Sequence, residues 1–281
     1  DRVSPLFVPE AISNMVAGTI SQYFGAHGPS YVLVTACASA TNAIGEAAMR
    51  IQSGNADVVI TGGAEASVNE IGIAGFAALS ALSKAADPAK ASLPFAADRS
   101  GFVLGEGGGA IILESLEHAQ QRGANILGEV VGYGATSDAY HMTAPDPSGH
   151  QAARAMELAI EEAGIAPSDV GYINAHGTAT KANDAMESKA IHDLFGDDVL
   201  VSSTKALTGH LLGAAGAIEA IMTISALHEG KLPINVGDAE QDPECPVTLV
   251  DAANRDVEVD YALSNSFGFG GHNAVLAFKR W

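Results

Sequence analysis

Cys37 is the residue in this sequence best placed for covalent chemistry. It stands where an apolar run, Tyr31–Val34, gives way to an alanine-rich helical pattern, Ala40–Gln52. That position sets its thiol at a helix N-terminus, where the macrodipole favours a thiolate. Two turns rich in small residues lie far downstream. Asn174-Ala-His-Gly-Thr178 carries His176, and Ser203-Thr-Lys-Ala-Leu-Thr-Gly-His210 carries Lys205 and His210. A cysteine with remote histidines is the composition of a covalent acyl-transfer site. The second cysteine, Cys245, lies in Asp242-Pro-Glu-Cys-Pro246 with no basic neighbour and reads as an inert buried thiol. No His-Glu-x-x-His or Cys-x-x-Cys spacing supports zinc.

Alternating elements must position these residues. Short apolar runs at Tyr31–Thr35, Asp57–Thr61 and Ala110–Glu114 predict strands. So do Ile126–Gly134, Val170–Ala175, Val199–Ser202, Val247–Val250, Asp260–Leu263 and Ala274–Phe278. Apolar recurrence at helical spacing predicts helices over Ala40–Gln52, Leu116–Arg122, Gln151–Ala163, Asp184–Leu194 and Leu212–Glu229. This order argues for α/β layers with helices packed on sheets.

Composition narrows the partners. With 47% apolar and 17% charged residues over 281 positions, the chain is globular and long enough for one large core or two smaller ones. A net charge of −19 lacks the basic footprint that nucleic acid requires. Two cysteines make no disulfide framework, which suits a reducing cytoplasm. The longest apolar helical stretch, Leu211–Leu227, is interrupted by Glu219 and falls short of a bilayer span. No membrane partner is expected.

Four segments together resemble the elongating β-ketoacyl-acyl carrier protein synthases, closest to the KAS II type of bacterial fatty-acid synthesis. They are Thr35-Ala-Cys-Ala-Ser39, Asn174-Ala-His-Gly-Thr178, Ser203–His210 with the following Leu211-Leu-Gly-Ala-Ala-Gly216, and Asn265-Ser-Phe-Gly-Phe-Gly-Gly271. The resemblance implies the thiolase fold, an α/β/α/β/α five-layer stack of two pseudo-symmetric halves. It places residues 1–122 in the first half, incomplete here, and 123–281 in the second. Full-length members carry a further N-terminal segment, so the chain is expected to lack one.

The implied reaction is a decarboxylating Claisen condensation of an acyl thioester with malonyl-acyl carrier protein, giving 3-oxoacyl-acyl carrier protein. The resemblance makes Cys37 the nucleophile, His176 and His210 the donors to the malonyl carbonyl, and Lys205 their aligning partner. Phe269 is the gating residue whose N–H completes an oxyanion hole. Thr143, Thr178 and Thr180 would meet the pantetheine arm, and Gly72 and Phe76 would line the acyl pocket. No cofactor is required. A structural monovalent cation among Asn174, Glu187, Glu219 and Ser264 is a further implication. The implied partners are acyl carrier protein, for which Arg2 and Lys84 are candidate contacts, and a second copy in a homodimer. Two positions depart from the family pattern, Lys181 for a proline and His272 for a threonine. The alternatives are a polyketide ketosynthase or a non-catalytic partner resembling a chain-length factor.

Overall fold

The computed structural model describes residues 3–237 and 239–281, which divide into a unit up to Val34 and a larger one from Thr35 to Trp281. In the first unit, α1 (Phe7–Ala11) precedes α2 (Met15–Phe24). Gly25, in the left-handed conformation with φ 62°, ends α2 by donating its N–H to the Ser21 carbonyl. Neither helix was predicted. The expected strand at Tyr31–Thr35 is not formed. A strand exists only through a ladder, and no described strand pairs with this one.

The larger unit runs α3 (Ser39–Gln52), β1 (Val58–Glu65), α4 (Glu70–Ala78), β2 (Gly107–Glu114), α5 (Leu116–Gln121) and β3 (Gly128–Ser137). It continues through α6 (His150–Ala163), β4 (Val170–Asn174), α7 (Lys181–Phe195), β5 (Leu200–Ser202) and α8 (Lys205–Thr208). It closes with α9 (Ala215–Glu229), β6 (Thr248–Leu249), β7 (Tyr261–Gly268) and β8 (His272–Arg280). Strands β1 and β2 form an antiparallel pair. The other six form a mixed sheet in the order β3-β8-β7-β4-β5-β6, antiparallel on the β3 side and parallel from β7 to β6.

Helices α3 and α9 contact both the β1–β2 pair and the six-stranded sheet, while α6 lies on that sheet and packs against α7. Four consecutive layers of the expected stack follow. The burial of α3 shows why it sits in the middle. Ala40, Thr41, Ile44, Ala47 and Ala48 recur at helical spacing and are all buried. Across the large sheet, Gly132 and Gly134 of β3 let α6 approach closely. A Cβ on Gly134 would stand 1.9 Å from the Ala155 carbonyl oxygen. Strand β7 is far longer than its predicted four residues because Ser264, Asn265 and Ser266 are buried polar positions that break the apolar pattern.

Candidate active site

Cys37 is held by a single 3₁₀ turn, Ala36–Ala38, that feeds directly into α3. Ala36 takes a left-handed φ of 50°, a conformation that costs a residue with a side chain about 1 kcal/mol or more. Ser39 holds the turn in place. Its Oγ accepts the Thr35 N–H at 2.9 Å and donates to the Ala36 carbonyl at 2.7 Å. Deeper down, Thr41 Oγ1 and Ser266 Oγ share a buried hydrogen bond of 2.7 Å that ties α3 to β7.

His176 follows β4, and its backbone is fixed from α7. The Glu187 carboxylate accepts the N–H groups of His176 and Gly177, each at 2.8 Å. His210 is stitched to the segment after Phe102. Its N–H donates to the Val103 carbonyl at 2.7 Å, and its carbonyl accepts the Gly105 N–H at 2.9 Å. The two imidazoles meet edge to face with centroids 5.3 Å apart, and the Phe102 ring packs edge-on against His210 at 5.0 Å.

His210 Nε2 lies 3.1 Å from Cys37 Sγ, while its Nδ1 accepts the Leu212 N–H at 3.3 Å. A nitrogen that accepts carries no proton, so the His210 proton is on Nε2 and points at the sulfur. Lys205 does the same for His176. It is 1% exposed, with Nζ 3.3 Å from His176 Nδ1 and 2.6 Å from the His176 carbonyl oxygen. Its third bond goes to Glu219 Oε1. Burial, and secondarily the Lys205 charge, hold both imidazoles well below the usual histidine range, so they are neutral at pH 7.

Burial pushes the Cys37 thiol up from 9.0 to about 11, against the opposing pull of Lys205 and the backbone N–H of Phe269. This corrects the expectation that the helix N-terminus dominates. The sulfur is buried, and desolvation outweighs the groups that favour the thiolate. The backbone N–H groups of Phe269 and of Cys37 itself both favour the thiolate. Phe269 begins a three-residue turn between β7 and β8, whose last pair is Gly268 and His272. Gly270 and Gly271 take φ of 92° and 74°, which the turn requires. The loop after β3 straps this turn down. Asp138 donates its N–H to the Gly271 carbonyl at 2.9 Å, and Gly270 donates to the Met142 carbonyl at 2.8 Å.

A cavity of about 290 Å³ opens in front of the sulfur. Of the residues expected at the site, Cys37, His176, His210, Phe269, Thr143, Thr178, Thr180 and Phe76 line it. Lys205 stands behind His176. Gly72 is not among the lining residues. Its N–H is bound by Asn69 Oδ1 at the start of α4, and a Cβ there would meet the Ser67 carbonyl oxygen at 2.2 Å. His272 packs its ring on Gly270, and Lys181 donates to the Ala97 carbonyl at 2.5 Å. Lys84 is exposed, and Arg2 lies outside the described residues.

Sequence reasoning missed a buried cluster that braces the Thr178–Thr180 loop. The Arg99 guanidinium, 3% exposed, donates to the carbonyls of Ala96, Thr180 and Lys181 and to Asp242 Oδ2. Its Nε lies 3.5 Å from Asp184 Oδ2. Burial lifts the Asp184 carboxyl to about 6. The available signal was the charged pair Asp98-Arg99 set in the apolar and small-residue run Phe95–Phe102.

The atoms around Glu219 test the expected cation. Asn174 and Ser264 are paired across β4 and β7, and Asn174 Nδ2 donates to the Glu219 carbonyl at 3.3 Å. Glu219 Oε2 and Ser264 Oγ are buried oxygens without a described partner, which suits an oxygen-ligated monovalent ion. Glu187 fits less well. Its oxygens already hold two backbone N–H groups and the Asn183 and Asn265 amides.

Comparison with known proteins agrees with this geometry. The profile described as "Beta-ketoacyl synthase, N-terminal domain" matches residues 1–119, and "Beta-ketoacyl synthase, C-terminal domain" matches residues 127–237. The chain belongs to the β-ketoacyl synthase family. It is 52% identical to 3-oxoacyl-[acyl-carrier-protein] synthase 2 of Staphylococcus aureus (strain COL), over 100% of this chain and 68% of that one. The protein of the same name from Synechocystis sp. is 50% identical, with coverage of 100% and 68%. Among solved structures, a β-ketoacyl synthase from Burkholderia phymatum STM815 superposes with a TM-score of 0.94 at 37% identity, covering 99% of this chain and 68% of that one. A ketosynthase bound to a hexaketide, in complex with its type II polyketide acyl-carrier protein, gives 0.95 at 34% identity, with coverage of 99% and 70%. The fold is the α/β thiolase fold of these ketosynthases.

Proposed function

We propose that this chain catalyses the decarboxylating Claisen condensation of fatty-acid elongation, with acyl carrier protein as the carrier of both thioesters. The observation that carries this reading is the pair of Nε2–H donors, on His176 and His210, converging with the Cys37 sulfur on one cavity.

An acyl thioester first exchanges with the Cys37 thiol. The acyl group moves to Sγ, and the thiol proton leaves with the carrier thiol. The carbonyl oxygen of the bound acyl group then faces the N–H groups of Phe269 and Cys37, which offset charge on the tetrahedral oxyanion. The malonyl thioester carbonyl takes the two imidazole N–H donors. As carbon dioxide leaves, those donors stabilise the enolate oxygen. The new carbanion attacks the acyl carbon and expels Cys37 sulfur as thiolate, which takes up a proton from solvent. Neutral imidazoles suit this task, because each offers a fixed N–H without competing for the carbanion's charge as an acid. Lys205 orients His176. A monovalent cation held by Asn174, Glu219 and Ser264 would supply a counter-charge to the free Glu219 oxygen. Thr143, Thr178 and Thr180 take the pantetheine arm.

The wider setting belongs to the same reading. The chain divides into halves at Gly123, a homodimer is the working form, and the cytoplasm is where it acts. No helix among the described residues is long and apolar enough to cross a membrane. Cys37 with its donors in place favours a catalytic subunit over a chain-length-factor-like partner, which would dispense with the nucleophile. The test separates the two half-reactions. His176→Ala and His210→Ala should still acquire acyl mass on the Cys37 peptide while malonyl decarboxylation is lost. Loss of acylation with decarboxylation intact would overturn the assignment.

A further inference from the structure

Cys37, His176 and His210 have the residue types of a three-ligand catalytic zinc site, and their geometry is close to one. All three are buried, and one ligand atom from each lies within 4.8 Å of the others. The cavity in front of them supplies an open fourth direction. A tetrahedral zinc at its ordinary bond lengths separates such atoms by about 3.3–3.6 Å. The His210 Nε2 to Cys37 Sγ distance of 3.1 Å falls a few tenths of an ångström short of that span, which a small side-chain shift would close. Distance therefore does not keep a thiophilic metal out.

The protons do. An imidazole nitrogen binds a metal only through a free lone pair, and metal-bound histidines carry their proton on the other nitrogen, donated to a carboxylate or carbonyl. Here the pattern is inverted. His210 Nδ1 accepts from the Leu212 N–H, and His176 Nδ1 is faced by the Lys205 ammonium at 3.3 Å. Both Nε2 lone pairs are thereby replaced by N–H bonds aimed into the cavity. No carboxylate or carbonyl among the described residues bonds to either Nδ1. The Leu212 contact is one neutral N–H at 3.3 Å, whereas the lock on His176 is charged, so Lys205 is the stronger of the two.

We propose that Lys205, besides positioning His176, keeps zinc-class divalent cations off the catalytic cysteine by holding its proton pattern against metal binding. Binding would require Zn²⁺ to displace the thiol proton to solvent and both imidazole protons to move to Nδ1. At His176 that places an N–H against an ammonium. The inference depends on the site geometry, whatever thioester the enzyme condenses.

The test uses Zn²⁺ alone in competition with a chromogenic chelator on the intact protein. Wild type should leave the metal with the chelator, and ¹⁵N spectra should show both imidazoles protonated at Nε2. In Lys205→Gln the amide oxygen can accept an Nδ1 proton. That variant should take up one zinc per chain, lost on alkylating Cys37, with affinity raised about 10–100-fold, the usual worth of such outer partners. Lys205→Gln with Glu219→Gln removes the buried pair together and serves if the single variant misfolds. Lys205→Arg, which keeps the charge and donors, should behave as wild type. The proposal is overturned by alkylation-sensitive zinc uptake in wild type, or by Nδ1–H tautomers in its spectra. It is equally overturned by a folded double variant that binds zinc no better, or by Lys205→Arg binding as Lys205→Gln does.

Discussion

The reactivity of Cys37 towards a neutral electrophile should rise with pH far beyond the range of an ordinary thiol. Its sulfur loses hydration to a site built from Phe102, Leu212 and backbone, and burial lifts it to about 11 from 9.0. At pH 8 the thiolate fraction is then about one in a thousand, against about one in ten for a thiol at 9.0, so alkylation should be slowed about 100-fold. The assay is the second-order rate of iodoacetamide labelling on the Cys37 peptide by mass spectrometry between pH 7 and 9.5. The logarithm of the rate should climb with unit slope and show no plateau. A plateau below pH 9, or a rate at pH 8 equal to that of a free thiol, would refute the dominance of burial. The same linkage has a definite sign in stability. The folded pKa lies above the unfolded one, so the contribution is full below pH 9 and is lost as pH rises towards 11. Urea midpoints should therefore fall faster over that window in wild type than in Cys37→Ala.

Arg99→Met should lower stability by about 3–5 kcal/mol, because it leaves Asp184 buried without its cation. Differential scanning calorimetry checks this, and a loss under 1 kcal/mol would show the cluster to be incidental. Gly134→Ala should be comparably damaging, since its Cβ would meet backbone of α6 that cannot yield, and the same measurement applies. Light scattering at micromolar concentration should give a dimeric mass for the active enzyme. The β1–β2 pair has open outer edges among the described residues, and isologous pairing is the commonest assembly. A monomeric active species would contradict it.

Much of the large sheet and its helices was legible because their apolar patterns are periodic. Helices α3, α6 and α9 and strands β3 to β5 lie within a few residues of expectation. That Cys37, His176, His210 and Lys205 come together was legible from their signature segments, and eight of the expected residues do line one cavity. What was hidden was long-range and polar. Arg99 and Asp242 are separated by 143 positions, and neither segment has a pattern that announces the other. Helices α1 and α2 were missed because α1 is only five residues long and α2 buries none of its residues, so neither shows the core-facing stripe that marks a packed helix. Tyr31–Thr35 was misread because its β-branched and aromatic content meets the requirement for a strand, while its pairing partner is a tertiary matter. The thiol's acidity was misjudged for a related reason. A helix N-terminus can be read from sequence, but the depth of burial cannot.

The hydrogen bond between Cys37 and His210 spans 173 positions of chain. On a ribosome adding about 5–20 residues each second, that separation amounts to roughly 9–35 s. Throughout that interval the cysteine has emerged while the histidine that will face it has not been made. The turn bearing Phe269 comes later still. A nascent chain therefore carries its thiol unburied, with the higher acidity of an ordinary cysteine. Oxidants and electrophiles that the finished enzyme resists would find their opening during synthesis, and damage done then would be sealed inside when the last strands close.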